Sequence, residues 1–163
     1  MNVLNEYEIM QNNALGALAL SEFTIEFYKN TKNIRGPTLP VLMPVLPMVL
    51  HEDTALTLYR KHKQGGFHRS ISENRAISVG LQQRMQSMAD QTFQALNFAF
   101  ASRLLYYDES STQIYPLKCT SLLKLIKPHY EEIKRILKAA GRLGYWFSEM
   151  NLEQISILLN LRW

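Results

Sequence analysis

The stretch from Asn74 to Lys118 restricts the possible folds most. Ile77, Leu81, Met85, Met88, Thr92, Leu96, Phe100 and Leu104 recur at steps of three and four residues, which puts them on one helical face. Leu105-Tyr106-Tyr107 follows, then the polar Asp108-Glu109-Ser110-Ser111, then Thr112-Gln113-Ile114-Tyr115. Aromatic and β-branched residues on both sides of a polar turn signal a hairpin. The turn has no Asn-Gly or Asp-Gly, so a loop longer than the tightest type is expected. The apolar stripe is continuous and fits one helix or two. A break near Met88-Ala89-Asp90, with Asp90 capping the second helix, is preferred because it yields helix, turn, helix, hairpin, the order of a winged helix. The expected fold is mostly α with a small β-hairpin: a winged-helix-like single domain over residues 1–163, with additional N- and C-terminal helices.

The chain has 163 residues, near the prior of roughly 150 per domain. A hydrophobic fraction of 47% excludes wholesale disorder. A net charge of +4 permits an acidic or nucleic-acid partner without requiring one. Cys119 is the only cysteine, so no intrachain disulfide can form. The opening residues lack the basic start and apolar core of a signal peptide. Leu39 to Leu50, the most hydrophobic run, is too short to span a bilayer and carries Pro40, Pro44 and Pro47. The expectation is a soluble cytoplasmic protein.

Met1 to Met10 reads as a short irregular lead or a frayed turn. A first helix is expected from Asn12 or Asn13, either of which can cap it, to about Tyr28. Its first half is apolar nearly all round, as in a buried central helix. Leu39 to Val45 is expected to begin extended because of its prolines, with a helix starting at Pro44 or Pro47 and running to about Lys63. Gln64-Gly65-Gly66 ends it. Ser70 and Glu73 have capping-box spacing for a short turn. Beyond the hairpin, Pro128 suits the first turn of a helix through Ile136 and Ala140, which Gly141 and Gly144 weaken or end. Lys127, Lys134, Arg135, Lys138 and Arg142 are assigned to its exposed side. Asn151 with Gln154 caps a last short helix.

Chemistry is mostly absent from the pattern. His51, His62, His68 and His129 are scattered and Cys119 stands alone, so no metal ligand set assembles and no metal or other cofactor is expected. There is no Gly-x-Ser-x-Gly elbow and no P-loop. Arg60, Lys61 and Lys63, with His68, Arg69 and Arg75 beyond, form the best nucleic-acid candidate. A solvated helix end accounts for the same residues equally well, since cations there also satisfy the macrodipole. Between Asp90 and Leu104 the polar residues are Gln91, Gln94, Asn97 and Ser102, with Arg103 the only cation. That is poor equipment for anchoring on phosphate. Phe93, Phe98 and Phe100 do not all fit on one face, which would leave at least one aromatic for a partner, but placement of all three in the core is the favoured reading. Tyr145, Trp146 and Phe147, with Leu161, Arg162 and Trp163, concentrate the residue types of protein interface hot spots. Trp146 is the more natural core residue of the two tryptophans and Trp163 the better interface candidate.

Asn5 to Ala17, the proline-punctuated Leu39-Pro40 to His51, and Leu143 to Ser148 with Ile155 to Leu161 together resemble the small middle component of bacterial three-component ABC systems. These matches lie at the start, middle and end of the chain. The resemblance implies a non-catalytic adaptor that holds an SMC- or Rad50-like ATPase and a separate effector, often a nuclease, in an anti-phage or anti-plasmid complex of the Lamassu type. It supplies no motif of catalytic residues. The alternative is a stand-alone winged-helix DNA-binding regulator, suggested by the helix–hairpin order and the basic loop.

Overall fold

Helix α1, Asn13–Asn30, forms the axis of the molecule. Asn12 caps it, its side-chain oxygen accepting from the Leu15 amide at 3.0 Å, as its residue type leads one to expect. Leu15, Leu20, Phe23, Ile25 and Phe27 are all buried, because later helices cover α1 on opposing sides. The structure, a computed structural model, describes residues 12–61 and 66–163. The early lead, His62, Lys63 and the Gln64-Gly65 break lie outside the described residues.

Four short helices follow: α2 (Leu39–Leu42), α3 (Val45–Val49), α4 (Glu52–Arg60) and α5 (Phe67–Glu73). A 3₁₀ turn at Arg75–Ile77 leads to α6 (Leu81–Ser87) and α7 (Ala89–Ala101). The hairpin is β1 (Leu105–Asp108) and β2 (Gln113–Pro116), antiparallel, with Tyr106 opposite Tyr115 and Tyr107 opposite Ile114. A second 3₁₀ turn, Leu122–Leu125, precedes α8 (Glu131–Ser148) and α9 (Leu152–Leu159). The expected class, mostly helical with one small antiparallel sheet, is observed. So are a hairpin loop longer than the tightest type (residues 109–112), the break at Met88, and the Asn151–Gln154 capping box before α9. Among the described residues no single helix is long and apolar enough to cross a membrane.

Close approach of helices explains the core. At Gly144 of α8, a Cβ would lie 2.2 Å from the Phe23 carbonyl oxygen of α1. At Gly16 of α1, it would lie 2.9 Å from the Ala95 Cβ of α7. Backbones therefore nearly touch on two sides of α1. Around them Phe23, Phe67, Trp146 and Phe147 pack, with Phe67 stacked on Trp146 at 5.3 Å and edge-on to Phe147 at 5.4 Å.

Several expectations fail for local reasons. Gly141 and Gly144 do not end α8, which continues to Ser148; the contact with α1 outweighs their helix propensity of about 1 kcal/mol each. Leu39 to Leu42 is helical, with Pro40 in the first turn, where a missing N–H costs nothing. The proposed continuous helix from Pro44 or Pro47 is two helices. His51 is extended, and the axis turns by 101° between residues 39–49 and α4. Ser70 lies inside α5, bonding back to the Gly66 carbonyl, so it caps nothing. Met88 occupies the cap position of α7, with Asp90 in the first turn. Helix α8 begins at Glu131, beyond Pro128, with two glutamates in its first turn.

Glu22 is the exception in the core. Its side chain is buried, accepting from the Ser121 hydroxyl and the Leu122 amide at 2.7 Å each. Burial raises its pKa, and the two hydrogen bonds oppose the rise. The native state then holds this proton more tightly than the unfolded chain, so the contribution of Glu22 to stability falls as pH rises through the interval between the two pKa values. In urea titrations, the stability of the natural chain relative to Glu22→Gln is expected to increase on moving from neutral pH towards pH 4.5, the ordinary glutamate value. Gly144→Ala is expected to cost about 3 kcal/mol, because its Cβ meets backbone that cannot rotate away; the urea midpoint measures it.

Candidate partner-binding surface

Helix α7 is packed the opposite way to most amphipathic helices. Its buried face is small: Thr92, Ala95 and Ala99, with Leu96 the one large residue. Its aromatic residues point outward. Phe93 is 43% exposed and Phe98 44%. The cause is the close contact with Gly16, which leaves no room for rings between α1 and α7. A cluster of large apolar side chains in water is an informative departure from the usual distribution. Phe93 and Phe98 are thus left outside, against the favoured expectation that all three phenylalanines are core, while Phe100 is half-buried.

The hairpin extends this surface. Arg103, in the left-handed conformation, ends α7. The Leu104 amide donates to the Ala99 carbonyl and the Arg103 amide to that of Phe100, the pairing of a Schellman motif. The chain reverses directly into β1. Alternation along the strand then places Tyr107 and Ile114 towards α7, while Tyr106 stacks on Tyr115 at 5.4 Å. Leu39, Phe93, Asn97, Phe100, Tyr107 and Ile114 line a groove of about 130 Å³ with a single polar residue, Asn97.

The hairpin is held in position at both ends. Asp108 accepts from the Ser110 and Ser111 hydroxyls at 3.0 and 2.5 Å, which lowers its pKa. The connector before α2 lies along β2: the Ile114 amide donates to the Pro37 carbonyl at 2.9 Å, and the Gly36 amide donates to the Gln113 side chain at 2.9 Å. A Cβ on Gly36 would fall 2.0 Å from the Ile114 carbonyl oxygen, so only glycine allows this contact.

The residues singled out in the sequence fall into two places. Lys61 and Arg69 converge on one carboxylate, Glu73, at 2.6 and 2.7 Å. The two cations lower its pKa to about 2. Their charge is thereby partly neutralised, leaving Arg60, His68 and Arg75 as exposed members of the basic group. Lys63 is outside the described residues. At the other end of the chain, Trp146 and Phe147 belong to the core and Tyr145 is half-buried. Their aromatic character is used inside, in the ring cluster with Phe67, and only part of Tyr145 reaches the surface. Leu161 is buried. The side chain of Gln82 on α6 grips the main chain of Arg162, accepting from its amide at 2.9 Å and donating to its carbonyl at 3.0 Å. Trp163 is 53% exposed, with its indole N–H directed to the Ser156 hydroxyl.

The cations expected along the wet side of α8 are largely engaged. Arg142 donates to the Leu58 carbonyl at 3.1 Å, Lys138 lies 4.7 Å from the Tyr59 ring, and Lys134 pairs with Glu131 at 3.8 Å. Helix α4 folds back over α8 and uses Arg142 and Lys138 as contacts, a tertiary relation invisible to helical periodicity.

An outward-facing aromatic band on a small helical body suits recognition of other proteins. A family model described as "ABC-three component (ABC-3C) system Middle Component 3" matches residues 1–163. The chain belongs to this family. No curated protein and no solved structure matches it. Membership as a middle component of a multi-subunit system implies protein partners, and among the described residues the α7–hairpin band is an exposed aromatic surface of the kind a protein partner covers. Replacing Phe93 and Phe98 together by serine is expected to leave chemical stability within about 0.5 kcal/mol, since exposed positions contribute little, while weakening assembly with other components of the system in quantitative pull-downs. An equal loss of stability would assign both rings to the core.

Proposed function

We propose that this middle component is a non-catalytic adaptor, folded as one winged-helix-like domain, that bridges an SMC- or Rad50-like ATPase and an effector of nuclease type in a bacterial defence complex. Lamassu-type systems directed against phage or plasmids are its proposed setting. The observation that carries this reading is the packing of α7, with alanines inward and phenylalanines outward beside an apolar groove. A helix that read DNA would present cations there to anchor on phosphate. This one presents two rings beside the amides Gln94 and Asn97, with Arg103, just past its end, the one cation. The α6–α7–hairpin order supports a winged helix whose recognition face has been given over to protein.

Co-expression with the neighbouring ATPase and effector genes, followed by affinity purification in gentle salt, tests the reading. All three chains are expected to co-purify, and recovery of this chain alone would overturn it. Trp163→Ala is expected to weaken that assembly more than it lowers the melting temperature, because half of the ring is exposed. Parallel losses would make the tryptophan structural.

A further inference from the structure

The net charge of this chain is unevenly placed. Between Leu117 and Arg142 seven Lys and Arg stand against two Glu, while the remaining eleven cations are outnumbered by twelve acidic residues. The whole positive excess therefore comes from one stretch. Within it, the strap from Leu117 to Tyr130 contains Lys118, Lys124 and Lys127 and no acidic residue. All three lysines are exposed, and none takes part in an ion pair among the described residues. They contrast with Lys61, Arg69, Lys134, Lys138 and Arg142, whose heads are held by carboxylates, a ring or a carbonyl.

The strap also carries apolar side chains in water. Leu125 is 73% exposed, and Leu117 and Tyr130 are about half exposed. The segment is nevertheless fixed. Glu22 reaches from the centre of α1 to hold Ser121 and Leu122, and Leu122, Leu123 and Ile126 pack against the core. A buried carboxylate is costly, and this one is spent on holding a surface strap in a defined shape.

We infer that the Leu117–Tyr130 strap is a docking element for a protein partner that offers an apolar pocket for Leu125 within an acidic rim for Lys118, Lys124 and Lys127. Charge complementarity sets the sign of the partner surface, and the projecting leucine sets its class. A nucleic acid backbone would satisfy the lysines and leave Leu125 in water, whereas an interface with an apolar centre and polar rim satisfies both. The inference rests on the adaptor reading and adds a second contact surface, in the segment that directly follows the hairpin.

The test uses the full chain and the separately purified other components of its own system. The Lys118→Glu, Lys124→Glu, Lys127→Glu triple variant and Leu125→Ser are each expected to bind one component roughly tenfold more weakly, with unchanged melting temperature. Natural-chain affinity for that component is expected to fall with added salt, and the triple variant, which sets like charges against the acidic rim, is expected to lose or reverse this dependence. If both variants bind every component as the natural chain does, the strap is not the dock, although the adaptor reading stands. If the natural chain binds no component, the adaptor reading itself fails. A short DNA duplex bound by the natural chain and lost in the triple variant, with component binding intact, would reassign the strap to phosphate and overturn the proposal.

Discussion

Everything in this fold depends on how closely two helices approach α1. Gly144 lets α8 lie against the Phe23 backbone, and Gly16 lets α7 lie against the same helix through Ala95. Such approach maximises van der Waals contact but excludes side chains from the contact line. Larger groups must therefore go elsewhere. On the α8 side they collect into the Phe23–Phe67–Trp146–Phe147 cluster. On the α7 side Phe93 and Phe98 face water instead. The buried core and the outer aromatic band thus have a common origin in backbone proximity.

Glu22 links this core to the surface. Placed on the same helix as the close contacts, it satisfies two donors of a segment whose own apolar residues are only partly covered. Gly141 on α8 lies above the carboxylate, and a Cβ there would approach Glu26 Cγ at 3.3 Å and Glu22 Cγ at 3.6 Å. The absence of a side chain on α8 leaves room for two acidic side chains on α1. A third glycine of the α1 contacts is therefore concerned with polar packing, where the other two bring backbones together.

Much of this was legible in the sequence where the signal is local. The Asn12 and Asn151 caps, the break at Met88 and the hairpin all depend on neighbours within a few residues, and each sits where its pattern places it. Features set by distant segments were misread. Gly144 looks like a helix breaker until Phe23 is placed beside it, 121 positions away in the chain. Arg142 and Lys138 look like a wet stripe until α4 folds over them. Lys61 and Arg69 look like an open basic loop until Glu73 turns between them. Of the candidate surface residues, the phenylalanines of α7 show in the sequence only as a misfit to one helical face, and core packing is the favoured reading until Gly16 and Ala95 are brought together. The charge concentrated after Leu117 was also readable, as a regional imbalance that attention to short basic clusters passes over.

The two-sided character of α7 has an evolutionary corollary. Ala95 and Ala99 answer to the interior, whereas Phe93 and Phe98 answer to whatever lies outside. Substitutions on the outer side change the face shown to solvent while the hidden side stays as it is. Descendants of such a helix are free to vary that face without having to reinvent the body that carries it.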